Sequence, residues 1–130
     1  MIAAQGPKGM RLAAQHADIW SCFAQDRSDL VEFGPRIAAF EAACAEVGRD
    51  PATIGRSAGV DVHPLETAPD PDGAWISGST EQMADQLRAF RDAGYTQVAL
   101  FPAPAAMAAL DAVAPVLELL RTDERSVPPA

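Results

Sequence analysis

Cysteine is scarce in this chain: Cys22 and Cys44 are the only two among 130 residues, and neither has a Cys or His neighbour at metal-ligand spacing. That argues against a disulfide framework and against a zinc site, and predicts two reduced thiols, Cys44 in the core. Basic residues are also few. Ten Lys and Arg against eighteen Asp and Glu give a formal net charge of −8 with no local basic stripe, which argues against a nucleic-acid partner. No apolar run approaches the roughly 18 residues of a membrane helix, and the segment after Met1 lacks the charged flank and length of a signal peptide. The default address is the cytoplasm. A Gly-rich P-loop, a nucleophile elbow with a Ser-His-Asp order and an HExxH metal motif are all missing, so hydrolase and kinase readings have no support.

Apolar residues, by contrast, make up 48% of the chain, enough for one domain with a real core. Ile2 to Ala4 reads as a short strand stopped by Gln5-Gly6-Pro7, and Pro7 suits the first turn of a helix running to His16. Ala17 to Phe23 reads as a second strand. From Val31 to Val47, Ile37, Phe40, Cys44 and Val47 recur at helical spacing, and Gly48 is a natural stop. Ile54 to His63 is a third strand blocked by Pro64, followed by the long loop "PLETAPDPDGA", either a lid or mobile surface. Ser79 and Gln82 form a capping box for a helix with Met83, Leu87 and Phe90 on its apolar face. Thr96 to Phe101 is a fourth strand. A last helix, about Ala105 to Leu120, places Met107, Leu110, Val113, Leu117 and Leu120 on one side, with Pro115 kinking it or starting a fresh turn. Strand and helix thus alternate four times, which predicts parallel strands joined by right-handed crossovers. Four units make either a small open sheet or half of an eight-unit barrel, and a first strand of barely three residues favours a chain that is cut.

Three segments, "IAAQGPKGMRLAAQHADIW", "AEVGRDPATI" and "ISGSTEQMADQLRAFRDAGYTQVAL", resemble the C-terminal part of luciferase-like monooxygenases. The resemblance implies an α/β fold, a partial (β/α)8 TIM barrel of about four C-terminal units over residues 1–121, with a flexible tail at 122–130. It implies an oxidoreductase that uses the deazaflavin coenzyme F-420 or FMN on a small organic substrate, by hydride transfer or monooxygenation. "AAQGPKG" is closer to the F-420 form. Ile19 and Ser21 stand where the family often has Gly and Asn. In such a chain alone, two strand edges and the barrel-interior side chains would be exposed. Its partner would be a missing N-terminal half or a second copy, and the second case is a non-catalytic binding or structural module.

The Gly-Pro loop is the leading candidate site. A strand that stops at Gly6, with a helix starting at Pro7, leaves amides of residues 4 to 9 unpaired, and such amides bind phosphate without a basic side chain. Ala4, Gln5 and Gly6, with Lys8 beside them, are the residues to which the resemblance assigns the cofactor phosphate; the plain alternative is a tight strand-to-helix turn. Trp20, near the end of the second strand, either walls the cofactor pocket or packs between barrel and helix. His63 ends the third strand, where an imidazole can hydrogen-bond a substrate or shuttle a proton, or simply lie on the surface. His16 complements a helix C-terminus. Asp70, Asp72, Asp123 and Glu124 read as solvated surface, and no residue presents itself as catalytic.

Overall fold

A computed structural model describes residues 1–126. Its elements are β1 (Ile2–Ala3), α1 (Pro7–His16), β2 (Ile19–Phe23), α2 (Leu30–Val47), a 3-10 turn (Pro51–Thr53), β3 (Gly55–Val62), α3 (Thr80–Asp92), β4 (Gln97–Pro102) and α4 (Met107–Ser126). The strands lie in sequence order, β1-β2-β3-β4, and every pair is parallel. Crossovers of one hand between consecutive strands put every helix on one face of the sheet. A doubly wound sheet would reverse its order to cover both faces. This one does not, so it is the wall of a barrel rather than an open Rossmann-type sheet.

Local chemistry explains the element ends. The Asp29 carboxylate accepts from the Val31 amide at 3.1 Å to start α2. Gly48, at φ 73°, ends it in the left-handed conformation, and the Arg49 amide reaches back to the Cys44 carbonyl at 2.9 Å. The capping box of α3 is complete, with Gln82 N–H donating to Ser79 Oγ at 3.1 Å and Ser79 N–H to Gln82 Oε1 at 2.8 Å.

Alternation along the strands decides what is core. Trp20 and Cys22 on β2 and Ala58, Val60 and Val62 on β3 point toward the helices and are buried. Trp20 stacks on Phe40 of α2, centroids 4.3 Å apart, while Phe33, Phe90 and Tyr95 meet edge to face. Each such pair contributes about 0.5–1.5 kcal/mol beyond its burial. Cys22 and Cys44 are both free and buried.

Three expectations change. The buried line of α4 is Ala109, Val113 and Val116, whereas Met107, Leu110 and Leu117 are exposed. Small and β-branched residues at that spacing let α4 approach closely, and the bulkier ones fall on its flank. The helix also runs on to Ser126, and within it Asp123 is held by Arg88 at 2.7 Å and Arg91 at 3.4 Å rather than left to solvent. Residues 127–130 of the expected tail lie outside the described residues. The loop after β3, finally, is pinned. Ile76 bridges to Val62, Ser28 N–H donates to the Gly73 carbonyl at 2.7 Å, and Asp70 caps its own turn by accepting from Ala74 N–H at 2.8 Å.

Candidate functional site

The C-terminal ends of the strands gather most of the polar chemistry, beginning with the loop between β1 and α1. Gly6 is the N-cap of α1 with no side chain capping it, and Pro7 has no N–H to satisfy. The first-turn amides of Lys8 and Gly9 have no intrahelical acceptor by helix geometry, so this end of α1 is open to an acceptor from outside. The Ala4 amide is not part of that set, because it donates to the Ser21 carbonyl at 3.0 Å as the last rung of the β1–β2 ladder. Gln5 is turned sideways instead: its Nε2 donates to the Phe23 carbonyl at 3.2 Å and ties the ends of β1 and β2 together. Lys8 is exposed. Gly6, at φ −87°, is not demanded by the backbone, and a Cβ there would meet nothing within 4 Å. Gly9 is more closely fitted: a Cβ there would lie 3.1 Å from Ala4 Cβ, tighter than ordinary contact, where α1 crosses the end of β1.

Trp20 does not wall a pocket. Its side chain is fully buried between β2 and α2, and its indole Nε1 donates to the Ala4 carbonyl at 2.8 Å. It braces the loop from beneath, because its place in the strand alternation turns it toward α2.

Two residues missed in the sequence, Glu32 and Arg36, organise the end of β2. Glu32 accepts from the amides of Gln25 and Asp26, both at 2.9 Å, and Arg27 at 3.3 Å. Arg36 pairs with Glu32 at 3.3 Å and donates to the Phe23 carbonyl at 2.6 Å, the same oxygen that Gln5 uses. Burial pushes the Glu32 carboxyl up, yet the three amides and Arg36 outweigh it and hold the group below its ordinary range. The signal was the Glu-Arg spacing of four at the start of α2.

The sheet face away from the helices has its own pattern. Paired residues of parallel strands share a face, so Ala3, Ser21, Ser57 and Gln97 form one row across it. The next row holds Phe23, Gly59 and Ala99, with Asp61 and Phe101 beyond. The Phe23 and Phe101 rings, 5.9 Å apart, close over Gly59, where a Cβ would lie 2.8 Å from Phe23 Cε1 and 3.0 Å from Phe101 Cε2. Both rings are more than 40% exposed, at 41% and 49%. Just past β3, His63 stacks on Trp75 with centroids 4.1 Å apart, and Glu66 reaches both rings. Trp75 and Glu66 lie in the pinned loop and were not singled out in the sequence.

Elsewhere the surface offers less. A depression of about 740 Å³ lies between the C-terminal halves of α1 and α2 at the opposite ends of the strands, where the Arg11–Glu46 ion pair and the bond from Arg49 to the Ala14 carbonyl line it. It is a helix seam. A cavity of about 200 Å³ runs between the β4 edge and α4, lined by Val98, Leu100, Leu117 and Leu120 among others. Among the described residues the buried Tyr95 hydroxyl has no hydrogen-bond partner, and that burial, with the neighbouring Cys22, pushes its pKa up. Among the described residues no helix is long and apolar enough to cross a membrane, and no group of three His, Cys, Asp or Glu is placed to hold a metal ion.

No protein-family model matches the chain, and no curated protein does. Solved structures do match. An F-420-dependent secondary alcohol dehydrogenase aligns at TM-score 0.63 and 18% identity, covering 85% of this chain and 45% of its own. The F-420-dependent tetrahydromethanopterin reductase of Methanopyrus kandleri aligns at 0.67 and 16%, covering 90% and 49%. A riboflavin lyase, solved with modified FMN and riboflavin, aligns at 0.71 and 12%, covering 94% and 42%. The chain spans less than half the length of each. At these identities the likeness shows a shared fold, and that fold agrees with four consecutive β/α units of a (β/α)8 barrel.

Proposed function

We propose that this chain is the C-terminal half of a luciferase-like oxidoreductase that uses a deazaflavin or flavin coenzyme, and that it contributes the cofactor's phosphate-binding loop. The observation that carries this reading is the uncapped N-terminus of α1 at the C-terminal ends of the strands, with open space around Gly6. Oriented amides and the helix dipole favour an anion there even in an acidic chain. The amides of Gln5, Gly6, Lys8 and Gly9 would hold the phosphate, the Lys8 ammonium would add charge, and Ala4 and Trp20 would brace the loop. Similarity of fold to F-420-dependent enzymes and to one solved with FMN supports this choice of cofactor. When bound, such a coenzyme supplies the two-electron chemistry, and the protein positions it. His63 faces the substrate side in this reading, and residues of the other half complete the substrate pocket around it.

Fluorescence titration of the purified chain with F-420 and with FMN tests it. Saturable binding is expected, with a loss of at least about tenfold in affinity in Gly6→Asp, which costs about 1.4 kcal/mol or more where a carboxylate opposes the phosphate. Equal binding by the variant overturns the loop assignment. A second reading rests on the exposed Phe23 and Phe101 and the free β4 edge: a non-catalytic half-barrel that associates with itself. A folded, soluble dimer that binds neither coenzyme supports that reading.

A further inference from the structure

We infer that Glu66 and Trp75 are positioning residues that hold His63 in one tautomer, with Nδ1 protonated and Nε2 presented as the acceptor for a proton-bearing group of the substrate, such as a hydroxyl. His63 leaves the C-terminal end of β3, where its amide donates to the Ile76 carbonyl at 2.8 Å, so its backbone is fixed by the returning loop. The imidazole lies flat on the Trp75 indole, 8° from parallel. Glu66 Oε2 accepts from Trp75 Nε1 at 2.8 Å, and Glu66 Oε1 lies 3.4 Å from His63 Nδ1. An ionised carboxylate accepts only, so this contact is favourable when Nδ1 carries the proton, and the neutral ring then has its lone pair on Nε2. Nε2 makes no hydrogen bond among the described residues, and the His63 side chain is 28% exposed. The Glu66 amide donates to the His63 carbonyl at 3.2 Å and the Gly78 amide to the Glu66 carbonyl at 3.1 Å, which fixes the backbone from which the carboxylate reaches both rings. Both rings and the carboxylate thus support one another. In the step this arrangement serves, the substrate O–H bond breaks, an Nε2–H bond forms, the electron pair stays on oxygen, and Glu66 faces the resulting imidazolium. The substrate role rests on the proposal that the strand C-terminal ends are the active face, whereas the tautomer does not.

The chain has only one other histidine, His16, an internal control. Long-range proton–nitrogen NMR of the full chain is expected to show neutral His63 protonated at Nδ1. Glu66→Ala should shift it to the Nε2-protonated form, Glu66→Gln, which keeps an oxygen acceptor, should restore Nδ1 protonation, and His16 should not change in either. Diethyl pyrocarbonate should modify His63 several-fold faster than His16, and Glu66→Ala should abolish that difference. Propan-2-ol, the hydroxyl probe, should shift the His63 Nε2 resonance saturably. An Nε2-protonated wild type, or a tautomer indifferent to Glu66→Ala, overturns the positioning role. The expected tautomer without a propan-2-ol response overturns the substrate class. Gly6→Asp should leave every one of these readings unchanged, which separates this inference from the cofactor assignment.

Discussion

Trp20 joins the core to the candidate loop through a single hydrogen bond. Its ring fills the space between β2 and α2, and its N–H satisfies the carbonyl of Ala4, a residue only 8% exposed. Trp20→Phe keeps most of the apolar contact and leaves that carbonyl without its donor, so a loss of about 1–3 kcal/mol is expected in urea unfolding. Weaker coenzyme binding should accompany it if Ala4 sets the loop. Glu32 is the second residue whose effect can be measured. Its folded-state pKa lies below the ordinary value, so its contribution is complete above pH about 4.5 and fades as pH falls through the folded-state value. Wild type should therefore lose stability on acidification below that point. The gap between wild type and Glu32→Gln should narrow over the same range, as followed by urea midpoints from pH 7 down to pH about 3. A gap that stays constant would show that Glu32 folds with an unshifted carboxyl.

At the scale of elements, caps do the work that helix propensity cannot. α3 is amphipathic and begins at a reciprocal Ser79–Gln82 pair, and its far side carries Arg88, which meets Glu81, Asp85 and Asp123. Ser79→Ala should cost about 0.5–2 kcal/mol, measured by thermal or urea unfolding. A cost near zero would mean that packing of Met83, Leu87 and Phe90 holds the first turn by itself. Most of this level was legible from the sequence, because caps and period-3.6 apolar faces are local: Gly48, Ser79 and the Phe40–Cys44 spacing stand where the reading put them. The face of α4 was not, since Leu110 and Val116 are equally apolar and only the approach of α3 chooses between them.

Among the described residues the helices cover one face of the sheet. Phe23 and Phe101 stand on the bare face, and β4 offers a six-residue edge while β1 offers two. Exposed aromatic surface beside an open strand edge favours association. Replacing both Phe23 and Phe101 by Ser should lower the apparent mass of the chain in sedimentation at equal concentration, with little change in its unfolding midpoint. An unchanged mass would move the contact to the β4 edge and α4. The sequence by itself determined the order of elements, their parallel pairing and the open helix start at Gly6-Pro7, because each follows from short-range rules of backbone conformation and apolar spacing. Tertiary structure alone decided that Trp20 is buried under Ala4, that Glu32 fills the amides after β2, and that Glu66 and Trp75 meet at His63. Those groups lie 3 to 16 residues apart in the chain, and the strand alternation and the fold of one loop bring them into contact at distances that no local pattern encodes.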